Sequence, residues 1–215
     1  MEIYLVRHTT PDIAKGVCYG QADLDVTDSF EHEAALIKQH LPGNVSAVHS
    51  SPLQRCKKLA EHLFAGHTIQ LHDDLKEIHC GKWEMRLWDE ISKEEVGPWM
   101  DDLLNVCIPG GESYTGVFKR VSQCFDKIIS RQSSSGEGNL SVKQDALAPV
   151  VIVAHGGVIR SILSYITETP LIDSFKVFSL HYGCVVKVVR QQSSIRYEVL
   201  SNVPQEKETH KPSRP

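Results

Sequence analysis

The opening run MEIYLVRH constrains the fold more than any other stretch, because Ile3, Tyr4, Leu5 and Val6 stop abruptly at Arg7 and His8. A short, continuous apolar run reads as a strand covered on both faces, which belongs in a parallel sheet flanked by helices. Ligands in such sheets gather at the carboxyl edge of the strands. The first strand therefore delivers a planar guanidinium fork and an imidazole that titrates near neutrality to one edge.

The chain then alternates strand and helix signals. After a loop rich in Pro, Gly and Asp, FEHEAALIKQHL sets Phe30, Ala34, Ile37 and Leu41 at helical spacing behind Asp28 or Ser29 as cap, and Pro42 and Gly43 end it. Residues 45–51 predict a second strand. Pro52 opens a helix with Leu53, Cys56, Leu59, Ala60 and Leu63 inward, and residues 68–75 read as a short strand. EISKEEVGPWMDDLLNV predicts helical pieces broken at Gly97 and Pro98, part of a lid-like insertion spanning about residues 88–110. Residues 111–129 predict a third major helix with Val117, Val121, Cys124, Phe125 and Ile128 on one face. The polar, Gly/Ser-rich residues 130–149 predict a flexible connection. Residues 150–154 read as a strand running into His155, Gly156 and Gly157 and then a helix; residues 183–200 read as two strands joined by QQSS. This organisation predicts one α/β domain over residues 1–200 and a disordered tail over 201–215.

Bulk composition narrows the partners. The 215 residues carry 23 Lys plus Arg against 27 Asp plus Glu, a net charge of −4 that gives no general footprint for nucleic acid or an anionic membrane. Six cysteines at irregular spacing, without a CxxC pair, argue against a disulfide framework or zinc ribbon and for reduced thiols in a cytoplasm. The first residues lack a basic leader, and no stretch approaches the roughly 18 apolar residues of a membrane span. His32, His40, His62, His67, His72, His79, His181 and His210 share no metal-ligand spacing, so no metal is expected. Trp83, Trp88 and Trp99 read as core and lid packing, Lys57 and Lys58 as a solvated helix face, and Glu84 as a solvated carboxylate.

Four residues stand at comparable places in the pattern. His8 follows the first strand, Arg55 lies in the first turns of the helix after the second, Glu77 follows the third, and His155 ends the strand 150–154. A parallel sheet brings such positions together along one edge. Two histidines, Arg7, Arg55 and a carboxylate suit transfer of a phosphoryl group through a histidine. The attacking imidazole must be neutral, with its other nitrogen donating to an acceptor such as a backbone carbonyl. The phosphoryl oxygens need several positive donors, which Arg7, Arg55 and His155 supply, and the N–H groups of Gly156 and Gly157 at a helix start suit the same anion.

YLVRHT, SSPLQRCKKLAE, LKEIHCGKWE, PGGES and VAHGGVIR resemble, in order and spacing, the motifs of the histidine phosphatase superfamily, over roughly residues 1–190. The resemblance implies a three-layer α/β/α sandwich with a mostly parallel central sheet, the phosphoglycerate mutase-like fold. It implies His8 as the phosphorylated nucleophile, Arg7, Arg55 and His155 as the phosphate pocket, Glu77 as the proton donor, and a small phosphomonoester as substrate, without a cofactor. The first motif departs from the family's common RHGE: Thr9 puts a side chain where glycine is usual, although its hydroxyl could donate to phosphate, and Ala14 stands where many members have asparagine. RHTTPD followed by GVCYGQADLDV is similar to the α-ribazole phosphatases of cobalamin assembly, and Tyr19 and Gly20 occupy a substrate-contacting position. HGGVIR resembles phosphatases more than mutases. A mutase, a sugar-phosphate phosphatase and a catalytically weak phosphate-binding protein of the same fold are the alternatives.

Overall fold

Four parallel strands and an antiparallel pair make one sheet, and their apolar runs explain the order. A computed structural model of the protein describes residues 1–134, 148–191 and 194–204. Its strands are β1 (Glu2–Arg7), β2 (Ala47–Ser50), β3 (Ile69–Leu71), β4 (Val150–Ala154), β5 (Val185–Gln191) and β6 (Ser194–Ser201), in the spatial order β3-β2-β4-β1-β5-β6. β1, β2, β3 and β4 are parallel, and β5 and β6 continue the sheet antiparallel. β1 and β4 lie at its centre, which is why both sequences are continuously apolar.

Alternation along these strands builds two cores. Ile3, Leu5, Ile152 and Ala154 face helices α4 (Tyr114–Ser134) and α5 (Gly156–Thr167), where they meet Val121, Phe125, Ile159 and Ile162. Tyr4, Val6, Val151 and Val153 point the other way, towards Ala34 and Ile37 of α1 (Phe30–Lys38) and Cys56, Leu59 and Leu63 of α2 (Gln54–Leu63). The sheet is thus covered on both sides, as the resemblance implied. Each fully buried aliphatic side chain contributes roughly 1.5–3 kcal/mol.

A third, smaller core joins the loop after β1 to the segment after Glu77. Trp83 is fully buried there with Cys18, Cys80, Ile91 and Ile108; its ring meets Trp88 and Trp99, and its Nε1 donates to Glu95 at 2.7 Å. The core reading of Trp83 is correct.

Several boundaries differ from expectation. Helix α3 (Lys93–Asp101) runs unbroken through Gly97 and Pro98. Ser92 caps it by accepting the Glu95 N–H, and proline forfeits only the bond to the carbonyl of exposed Glu94, which water can reach. Helix α4 continues to Ser134, so the first residues of the expected flexible connection are helical; residues 135–147 lie outside the described residues. Ser201 belongs to β6, and the Asn202 side chain accepts from His181 N–H and donates to the Ser179 carbonyl; the domain therefore passes residue 200. The rest of the expected tail, 205–215, lies outside the described residues. A short helix α6 (Ser174–Val177) precedes β5. Among the described residues no helix is long and apolar enough to cross a membrane.

Candidate active site

Strand register juxtaposes the two histidines. Arg7 pairs with Ala154 across β1 and β4, so His8 and His155 leave adjacent strands side by side; the His8 N–H bonds the Ala154 carbonyl at 3.0 Å and the ring centroids are 5.1 Å apart. His8 Nδ1 lies 2.7 Å from the Thr9 carbonyl oxygen. A carbonyl only accepts, so Nδ1 carries the hydrogen and Nε2 keeps its lone pair. Burial, then the charges of Arg55 and Arg7, hold the His8 pKa well below the usual histidine range. His155 is depressed too, by burial first and then by Arg55, His8 and Arg7. Both rings are therefore neutral at neutral pH. His155 Nε2 is 2.8 Å from Ser51 Oγ, at the end of β2 beside it.

Arg55 comes from the first turn of α2. Asp23 Oδ1 accepts the Gln54 N–H at 2.7 Å, so the loop after β1 caps this helix from a distance. The Arg55 side chain is fully buried, its Nη1 donating to the Ala22 carbonyl at 2.9 Å and its Nη2 to the Gly20 carbonyl at 2.7 Å. Its Nε has no partner among the described residues. Arg7 donates to the Leu180 carbonyl and lies 4.0 Å from the centroid of the Tyr182 ring. Gly156 makes room for it, since a Cβ there would come within 3.3 Å of the guanidinium carbon. Tyr19 sits over Arg55, 5.5 Å from guanidinium carbon to ring centroid, and its hydroxyl bonds that of Tyr182, so two tyrosines wall the arginine pair. Thr9 Oγ1 is buried and lacks a partner among the described residues. Ala14 is exposed.

Glu77 is held by backbone. Its Oε2 accepts the Gly157 N–H and its Oε1 the Ile78 N–H, each at 3.0 Å. A Cβ at position 157 would stand 2.3 Å from Oε1, so only glycine lets the carboxylate lie on the α5 N-terminus. This corrects the expectation that both glycine N–H groups stay open for a bound anion: that of Gly157 serves Glu77. Arg7 and Glu77 thus rest against consecutive glycines.

Sequence reasoning missed the groups that position these side chains. Arg120 of α4 donates to the carbonyls of Asp74, Lys76 and Glu77, while Glu112 of the PGGES motif grips it through Nε at 2.8 Å and Nη2 at 2.9 Å. Glu84 is not solvated as expected: its carboxylate accepts the N–H groups of Gly20, Gln21, Ala22 and Cys80 at 2.8–3.1 Å. Gly20 therefore spends its N–H on Glu84 and its carbonyl on Arg55. The spacing S-S-P after β2 was the available signal for Ser51; Tyr182, in a loop, offered none.

A family model described as the histidine phosphatase superfamily (branch 1) matches residues 3–203. A protein from Erwinia tasmaniensis described as a probable phosphoglycerate mutase is 28% identical over 202 residues, 90% of this chain and 86% of its own length. The adenosylcobalamin/α-ribazole phosphatase of Salmonella typhimurium is 25% identical over 194 residues, covering 86% and 88%. The crystal structure of the α-ribazole phosphatase from Shigella flexneri superposes with a TM-score of 0.78 at 21% identity, over 93% of this chain and 95% of that one. With a family match over nearly its whole length and two neutral histidines at one sheet edge, the chain belongs to the histidine phosphatase superfamily and is a histidine-dependent phosphatase.

Proposed function

We propose that the protein hydrolyses a phosphomonoester in two steps through phosphorylated His8. The observation that carries this reading is the bond from His8 Nδ1–H to the Thr9 carbonyl, which leaves Nε2 with a free lone pair beside two guanidinium groups. Nε2 attacks phosphorus, the bond from phosphorus to the ester oxygen breaks, and Glu77 gives that oxygen a proton. Water then attacks the phosphohistidine, Glu77 takes the water's proton, and the products are alcohol, phosphate and free His8. Charge spread over the phosphoryl oxygens is met by Arg7, Arg55, His155 and the unpartnered Thr9 hydroxyl. Thr9 then compensates for the missing asparagine at position 14.

The substrate we favour is α-ribazole 5′-phosphate, dephosphorylated in cobalamin biosynthesis. The RHTTPD and GVCYGQADLDV segments and the Salmonella relative support this choice. Six cysteines outside any disulfide suit a reducing cytoplasm. The test is kcat/KM across α-ribazole 5′-phosphate, phosphoglycerates, phosphoserine and sugar phosphates. The ribazole ester should lead. A higher value for another ester moves the assignment to it, isomerisation of a phosphoglycerate without phosphate release marks a mutase, and phosphate binding without turnover of any ester marks a regulatory protein.

A further inference from the structure

We propose that Glu84 is a positioning residue for Arg55, acting through the peptide backbone of residues 20–22. This rests on the reading of Arg55 as a phosphoryl ligand. Four backbone N–H groups converge on one carboxylate: Gly20 at 2.9 Å and Ala22 at 3.1 Å on Oε2, Gln21 at 2.8 Å and Cys80 at 2.9 Å on Oε1. The opposite side of the same turn holds Arg55 through the carbonyls of Gly20 and Ala22.

The peptide unit joining Gly20 to Gln21 is engaged at both ends. Its N–H points to the carboxylate and its carbonyl to the guanidinium. The negative charge, the peptide dipole and the positive charge are thus aligned head to tail, and each bond strengthens the next. Glu84 is the remote counter-charge of a buried arginine that makes no direct carboxylate contact among the described residues. The turn is seated closely enough to need glycine: a Cβ at position 20 would meet the Ile78 carbonyl oxygen at 1.9 Å, Cys80 Sγ at 2.8 Å and Glu84 Oε1 at 3.1 Å. With both terminal nitrogens tied to carbonyls, the orientation of the Arg55 fork is set by where Glu84 holds residues 20–22, and the buried Nε remains for a phosphoryl oxygen.

Glu84→Gln preserves shape but sets an amide NH2 against two backbone N–H groups, so the turn must shift. Hydrogen bonds to a charged group carry the equivalent of roughly 10- to 100-fold in an equilibrium. The expected result is a loss of that size in affinity for inorganic phosphate, read as its competitive inhibition constant. An equal loss in kcat/KM is expected for aryl and alkyl phosphates, because Arg55 holds the phosphoryl group and not the leaving oxygen. Gln21 Nε2 also donates to the Glu77 carbonyl at 3.0 Å, so a loss confined to alkyl phosphates would place the effect on Glu77 and overturn the inference. In an Arg55→Lys background, Glu84→Gln should cost at most a few-fold; full additivity would overturn it too. Glu84→Asp keeps the charge with shorter reach and should fall between wild type and glutamine. It carries the same measurements if the glutamine variant does not fold, and a wild-type phosphate constant in it would then count against the inference. If Arg55→Lys itself leaves phosphate affinity and turnover intact, the role of Arg55 fails; if Arg55→Lys loses both while Glu84→Gln does not, only the role of Glu84 fails.

Discussion

Gly157→Ala adds one methyl group at the point where α5 meets Glu77. That carbon would stand 2.3 Å from Glu77 Oε1 and 2.9 Å from the Tyr114 hydroxyl. Unforced carbon–oxygen approaches are about 3.3 Å or more, so the carboxylate must retreat by about 1 Å and lose the Gly157 N–H. A displacement of that size costs on the order of 10² in rate, and complete loss of a positioned acid about 10² to 10⁴. Alanine is no worse a helix former than glycine, so thermal unfolding of the variant, run beside the kinetics, separates a displaced acid from a damaged fold. We expect kcat for an alkyl phosphate to fall by about 10² to 10³ while an activated aryl phosphate, whose leaving group needs no proton, slows much less. Phosphate affinity should persist, because Arg7 and Arg55 are untouched. Equal slowing of both esters, or none, would show that Glu77 is not the proton donor.

Two further outcomes follow from the same geometry. Glu77→Gln should reproduce the selective loss on alkyl esters, by about 10² to 10⁴, with inorganic phosphate still inhibiting; this is read from steady-state kcat on both ester types. Burial, helped by His72 and Arg131, lowers the His49 pKa to about 4, below its ordinary 6.5. The unfolded chain therefore binds more protons in that interval, so stability is full above about pH 6.5 and is lost as pH falls towards 4. His49 accounts for about 2 kcal/mol of the loss between about pH 7 and pH 4.5, and His49→Gln should remove that share from urea-unfolding curves at those two pH values.

The parts of this molecule legible in its sequence are those where burial dictates residue type. β1 and β4 are apolar on both faces because helices cover both faces, and the inward stripes of α2 and α4 follow the helical period. His8, Arg55, Glu77 and His155 were recognisable because parallel strands end at one edge. Glu84 and Arg120 were not, because a carboxylate gathering backbone N–H groups and an arginine gathering carbonyls are written with the same letters as solvated ones. Apart from Cys80 beside Glu84 and Glu112 near Arg120, their partners are 43 to 64 residues distant in sequence, beyond any local pattern. Gly97 and Pro98 misled for the converse reason: both are helix breakers by propensity, yet a helix exposed on that side tolerates one missing bond.

The central claim is that His8 Nε2 takes the phosphoryl group. Rapid quenching during turnover with labelled substrate, followed by digestion at alkaline pH, locates the phosphate directly. The account predicts an acid-labile phosphohistidine on His8 that is absent from His8→Ala and still forms, more slowly, in His155→Ala; label on His155 with His8 unmodified, or an acid-stable phosphoenzyme, would contradict it.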